Sequence, residues 1–229
     1  MRKTQLDNIL YDIHAHGINY HTREIYLHSH TDAYDEEPGV EYRMATSFIK
    51  NLNFLESIDK SNILIHMHSI GGEWNDGMAI FNTIRAIKSP TVVLSYAQAS
   101  SVSGIILQAA DKRVMMPDCE FLIHHGSIAL DNNSLAAKSA IEFNERICKR
   151  MLKIFAERAI VGAFFRDRGF SLRKVMNYLD NKIRNRSDWY LSAEEALYYG
   201  FCDGILGEKG YEDIDKIRNV RKYKGTTCD

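Results

Sequence analysis

Three serines, Ser100, Ser101 and Ser103, stand in the segment AQASSVSG, between the apolar runs TVVLSY and IILQAA. The upstream run is short and rich in β-branched residues, the pattern of a buried strand, and the downstream run from Gly104 reads as the start of a buried helix. At a strand-to-helix junction, small side chains let the backbone turn sharply and leave amide N–H groups unpaired at the helix start, where negative charge is stabilised. A hydroxyl placed there can serve acyl transfer. That chemistry needs a nucleophile, a base, a group that orients the base and two N–H donors for the oxyanion. Ser101 supplies the hydroxyl and its successor Val102 one amide. Gly72, after Ser69-Ile70-Gly71 at the end of another strand pattern, has no Cβ to obstruct approach and offers the second amide. His124, closing the run FLI, is the expected base, and Asp188 in RSDWYLSAEEA the expected acid. Taken singly, each has an ordinary structural use: serines cap helices, glycine pairs make turns and histidines pack in cores. Their order along one chain is what joins them.

The elements that must position these residues follow from hydrophobic period and breakers. Residues 23–30 (REIYLHSH) alternate like a strand, and HTDAYDEEPG is an acidic loop ending at a Pro-Gly breaker. Residues 40–58 carry Met44, Phe48, Leu52 and Leu55 at helical spacing, and NILIHMHS is again a strand. A helix is expected over 75–87 with Met78, Ile80, Phe81 and Ile84 inward, stopped by Ser89-Pro90. After the helix from Gly104, residues 112–116 form a short strand, Pro117-Asp118 a turn, and CEFLIHHG a further strand. Such β–α alternation implies an α/β fold whose active groups lie at the carboxyl ends of parallel strands. Gly71-Gly72, Ser100-Ser101 and His124 all fall at such ends.

Composition bounds the remaining possibilities. With 229 residues, 45% hydrophobic and three prolines, the chain is long enough to bury one sizeable core. A net charge of -1, from 29 basic and 30 acidic residues, gives no electrostatic reason to expect nucleic acid or a membrane surface as partner. No apolar run approaches the roughly 20 residues of a membrane span, and the N-terminus lacks the pattern of a secretory signal. Cys119, Cys148, Cys202 and Cys228 are widely separated without CxxC spacing, so free thiols and a cytoplasmic location are expected.

The string IHMHSIGGEWNDGMAIFNTIRAIKSPTVVLSYAQASSVSGIILQAADKRVMMPDCEFLIHHG, followed later by DWYLSAEEALYYGFCDGIL, resembles the proteolytic subunits of the Clp protease family. That family's pattern runs through Ser-Pro-Gly-Gly, Gln-Ala-Ala-Ser-Met-Gly, Pro-Asn-Ser, an Ile-His-Gln-Pro strand and an Asp shortly before Leu-Ser-Ala. Here Ser69–Gly72, Gln98–Ser103, Pro117–Glu120, Ile123-His124 and Asp188 with Leu191-Ser192-Ala193 stand in the same order. The resemblance implies a fold of repeated β-β-α units with a projecting helix-strand handle over about 122–158. It makes 23–206 the protease domain, with 1–22 an N-terminal segment and 207–229 a charged tail. It also implies an ATP-dependent serine endopeptidase with Ser101 as nucleophile, His124 as base, Asp188 as orienting acid, and the amides of Gly72 and Val102 as oxyanion hole. Alignment on Gln98-Ala99 selects Ser101 over Ser100 and Ser103. Gly71, Glu73, His125 and Gly126 would line an extended substrate backbone. The implied partners are unfolded polypeptides, further copies of the chain in two stacked rings of seven, and a Clp ATPase; this subunit itself would need no cofactor.

Several departures bear on the groove. Ile70 stands where the family has proline, Val102-Ser103 where it has Met-Gly, and His125-Gly126 where it has Gln-Pro; an acidic insertion occupies 32–41. Residues 160–186 are more basic and aromatic than the family pattern. Within the handle, Leu135, Ile141, Phe143, Ile147, Met151, Leu152 and Phe155 present more apolar faces than one core contact needs. Two rival readings exist. Asp12-Ile13-His14-Ala15-His16 resembles the opening of metal-dependent amidohydrolases, and His28, His30, His66 and His68 add further alternating pairs, which on a strand face could ligate a metal. A crotonase-like acyl-CoA enzyme shares the architecture and the backbone oxyanion hole, but has no need of Ser101, His124 and Asp188 together.

Overall fold

Strands and helices alternate as the hydrophobic pattern requires, in a computed structural model that describes residues 3–27, 39–126 and 134–223. In chain order the elements are α1 (Lys3–His16), β1 (Ile18–Asn19), β2 (Glu24–Leu27), α2 (Tyr42–Ile58), β3 (Ile63–Ser69), α3 (Trp74–Ala86), β4 (Thr91–Ser100), α4 (Val102–Ala109) and β5 (Lys112–Met115). They continue as β6 (Glu120–His124), α5 (Ser134–Ala159), α6 (Ala163–Arg166), α7 (Leu172–Arg186), β7 (Asp188–Leu191), α8 (Ala193–Tyr199), β8 (Gly204–Ile205) and α9 (Ile214–Arg218). His28, His30, most of the acidic insertion, the handle loop beyond Gly126 and Cys228 lie outside the described residues.

One sheet runs in the order β1-β2-β3-β4-β5-β8. Every pairing from β2 to β8 along it is parallel, as helical crossovers demand. β4 is long enough to serve two neighbours. Its first half pairs with β5, and Gln98, Ala99 and Ser100 pair in parallel with Glu120, Phe121 and Leu122 of β6. The strand-to-helix turn is therefore tighter than the small-residue segment implied: AQAS belongs to β4, and the whole change of direction falls on Ser101.

Strand alternation divides the core between two faces. Ile63, Ile65, Met67 and Val93 face α2, α3 and α4 in the main cluster, whereas Leu64, Val92, Leu94 and Val114 form a smaller one with Ile217. Within residues 207–223, α9 buries Ile217, and Arg218 pairs with Glu24 on β2. α4 is buried along its full length, the environment in which an all-round apolar helix is stable. The handle helix α5 behaves differently along its course. Met151, Leu152, Ile154 and Phe155 are buried, while Leu135, Ile141 and Phe143 are exposed.

The alternating histidines do not converge. His14 and His16 lie on a helix, not a strand, and residues two apart on a helix face away from each other. His66 is buried with its Nδ1 2.8 Å from Tyr96 Oη, and its ring stacks on Tyr26; burial pushes its imidazole down to about 4. Its strand neighbour His68 is exposed. Among the described residues no group of three or more His, Cys, Asp or Glu side chains is arranged to hold a metal ion.

Candidate active site

The carboxyl ends of β3, β4 and β6 meet at one place, and those of β3 and β4 lead into residues with positive φ. Ser101 caps α4 with φ 56° and ψ −125°, a strained combination for a residue with a side chain. Its amide donates to the Leu122 carbonyl (3.0 Å), so the β4–β6 ladder holds the strained residue at the sheet end. Ser100, 8% exposed, lies within the ladder, and Ser103 is fully buried in the first turn of α4. The structure thus separates three closely spaced serines into one hydroxyl at the sheet end and two in the interior.

His124 is the last residue of β6, and its Nε2 lies 2.8 Å from Ser101 Oγ. Asp188 reaches the other ring nitrogen. Residues 188–191 form a strand, β7, antiparallel to β6 with His124 directly opposite Asp188, and Nδ1 is 3.3 Å from Asp188 Oδ1. α7 stops at Ser187, whose φ of 63° turns the chain into β7. Trp189, 4% exposed, then anchors β7 against Tyr199 and Phe201. Here the unusual aromatic content of 160–186 finds its use: Phe164, Phe165 and Tyr178 pack around the same Tyr199. The other candidate acids are engaged elsewhere. Asp180 pairs with His125 Nε2 (3.2 Å) and Arg184, and Glu194 accepts from Ser192.

The two expected oxyanion donors belong to different elements. Val102 N–H opens α4, where helix geometry leaves it without a partner in the helix. Gly72 follows Gly71, with φ of 151° and 95°, in the left-handed range that glycine tolerates. A Cβ on Gly71 would lie 2.7 Å from Ser101 Cβ and 3.2 Å from Val102 N, so the loop can approach the serine only with glycine there. Val40 N–H donates to the Gly71 carbonyl (2.6 Å) and Glu73 N–H to the Val40 carbonyl (2.8 Å). Of the residues expected along the substrate, Gly71 and Glu73 thus spend these backbone groups on shaping the loop, while Gly72 N–H has no partner among the described residues. His125 turns its side chain to Asp180; burial lowers its imidazole although Asp180 pulls the other way. Gly126 has φ 77°, and no atom of the described residues lies within 4 Å of where its Cβ would be.

A strained serine at a strand-to-helix turn, hydrogen-bonded to a histidine that is itself paired with an aspartate, has the side chains of a serine hydrolase. The sequence profile described as Clp protease matches residues 34–209. The chain belongs to the Clp protease family. An ATP-dependent Clp protease proteolytic subunit from Leuconostoc citreum is 32% identical over 181 residues, 77% of this chain and 84% of the relative. One from Deinococcus radiodurans is 28% identical over 172 residues, covering 74% of this chain and 77% of the relative. A solved structure of a ClpP1 mutant from Listeria monocytogenes superposes with a TM-score of 0.66 at 24% identity, over 86% of this chain and 96% of that one, and shows the same fold. This Clp protease subunit is a serine endopeptidase. Neither the metal-dependent nor the acyl-CoA reading gains support from these relatives.

The local sequence assigns no role at the site to Ser69, Ser103 or Gly77. Ser69 is legible only as part of its motif, Ser103 as a competitor for the nucleophile and as a departure from the family pattern, and Gly77 as one residue of a helix. The available signal at Gly77 was a glycine inside an otherwise regular helical pattern.

Proposed function

We propose that Ser101, His124 and Asp188 carry the peptide-bond hydrolysis of this subunit. Ser101 Oγ attacks the scissile carbonyl carbon as its proton passes to His124 Nε2. The carbonyl oxygen takes the negative charge between the amides of Gly72 and Val102. Collapse of this intermediate breaks the C–N bond, and the His124 proton goes to the leaving amine. Water then enters by the reverse roles and releases the acid from the serine ester. Asp188 holds the imidazole tautomer and balances its transient charge. The observation that carries this reading is the alignment of Asp188, His124 and Ser101 at 3.3 and 2.8 Å. The exposed edge at Gly72 and Gly126 is suited to an extended polypeptide, with unfolded segments as substrates.

The names of the relatives support a subunit that works in an assembly served by an ATP-consuming Clp partner; this reading gives the chain itself no cofactor. We infer two stacked rings of seven joined through α5, whose exposed apolar residues favour such contact. Among the described residues no helix is long and apolar enough to cross a membrane, and Cys119, Cys148 and Cys202 are free thiols. A reducing cytoplasm suits both. A fluorophosphonate probe tests the site: it is expected to label the protein at Ser101, and Ser101→Ala to lose both labelling and peptide hydrolysis. Labelling that persists in Ser101→Ala, or hydrolysis by that variant, would overturn the assignment.

A further inference from the structure

The two oxyanion donors sit on different elements, and one of those elements is a glycine pair with little conformational restraint of its own. Val102 N–H belongs to α4, while Gly72 N–H belongs to the loop after β3. Their spacing matters, because donors must lie about 2.7–3.1 Å from the position the oxyanion will occupy. Beneath the loop runs a buried hydroxyl chain. Ser103 Oγ–H, in the first turn of α4, donates to Ser69 Oγ at 2.9 Å, and Ser69 Oγ also accepts the Gly71 N–H at 3.2 Å. Both serines are 0% exposed, so water does not compete for these bonds.

Resting on the site assigned above, we propose that Ser103 is a positioning residue that sets the Gly72 donor against the Val102 donor through Ser69. The peptide between Gly71 and Gly72 is a planar unit, so its carbonyl and the Gly72 N–H point in opposite directions. Val40 N–H clamps the carbonyl from one side. The Gly71 N–H, at the other end of the same residue, is clamped by Ser69. With both ends held, the Gly72 N–H has one direction left to it. Ser103 ties that clamp to α4, the helix that carries Val102. Two departures noted in the sequence converge here: Ile70 leaves the loop without a proline's fixed φ, and Ser103 brings a hydroxyl where the family pattern has glycine.

Ser103→Ala and Ser69→Ala, each made in the full chain, test this against peptide hydrolysis and inhibition by a peptide boronate, whose adduct places an oxygen in the oxyanion hole. Loss of one hydrogen bond at this site is expected to lower kcat by roughly 3- to 10-fold with KM unchanged. Boronate affinity should weaken by the same factor. The double variant should lose no more than either single one, since both break one chain. Ser103→Thr, which keeps the hydroxyl, should recover more activity than Ser103→Ala. Parental kcat in both alanine variants, a loss confined to KM, or multiplicative losses in the double variant would overturn the proposal. Fluorophosphonate labelling of the parent at Ser101 separates the two levels. If the parent labels there and the serine variants are indifferent, only the role of Ser103 fails; if the parent does not label there, the site itself is misassigned.

Discussion

Asp188 is the least protected member of the proposed catalytic group, with 47% of its side chain exposed against 27% for His124. Its value therefore lies in placement more than in a desolvated charge. An aspartate opposite His124 on a paired strand fixes which imidazole nitrogen carries the proton, leaving Nε2 free to accept from Ser101. Asp188→Asn keeps the shape and removes the charge, so kcat should fall by about 10⁴-fold while KM changes little. Steady-state kinetics with a fluorogenic peptide would read this. A variant with near-parental turnover would shift the role to another acid, although Asp180 and Glu194 are already paired with His125 and Ser192.

At the scale of elements, the site depends on how closely α3 lies against α4. Gly77 makes that approach possible: a Cβ there would come within 2.2 Å of Val102 Cγ2 and 3.2 Å of Val102 Cβ. The β-branched valine cannot swing aside as a long side chain could. Gly77→Ala gains about 1 kcal/mol of helix propensity, but overpacking against a buried β-branched residue costs about 1–3 kcal/mol. The expected outcome is a net loss of stability, read as a lower urea midpoint, and a fall in peptide hydrolysis as Val102 and its amide are pushed off position. Unchanged kinetics together with a higher midpoint would mean that α3 shifts without moving Val102.

At the scale of the whole molecule, the proposed assembly through α5 would link catalysis to oligomerisation. His124 closes the strand that leads into the handle, and Cys148 of α5 donates from Sγ to the His125 carbonyl at 3.8 Å, tying the handle to the residue next to the base. Leu135, Ile141 and Phe143 remain 77%, 45% and 44% exposed in the single subunit, an unfavourable surface in water unless another copy covers it. Ile141→Glu or Phe143→Glu should split the assembly into smaller species and lower peptidase activity, with Ser101, His124 and Asp188 untouched. Native mass spectrometry and a peptide assay on one sample would decide: fully active single subunits, or intact double rings carrying the charged handle, would refute the link.

Local pattern was enough to read the α/β alternation, the strand ends at Gly72, Ser101 and His124, and the long amphipathic α5, because hydrophobic period, Pro-Gly breakers and small residues at turns act over a few residues. The identity of Asp188 could be read from its motif, but not the strand that places it: β7 is short, and its pairing with β6 joins segments more than sixty residues apart in sequence. Likewise, nothing local to Ser69, Gly77 or Ser103 shows that the first and last share a buried hydrogen bond or that the middle one receives Val102. The histidine pairs show the converse, since HxH spacing is compatible with a metal site only on a strand whose neighbours supply further ligands, whereas His14 and His16 turned out to lie on α1. Periodicity specifies which residues face inward; which of them meet is decided by the packing of distant elements, and packing depends on the whole chain at once.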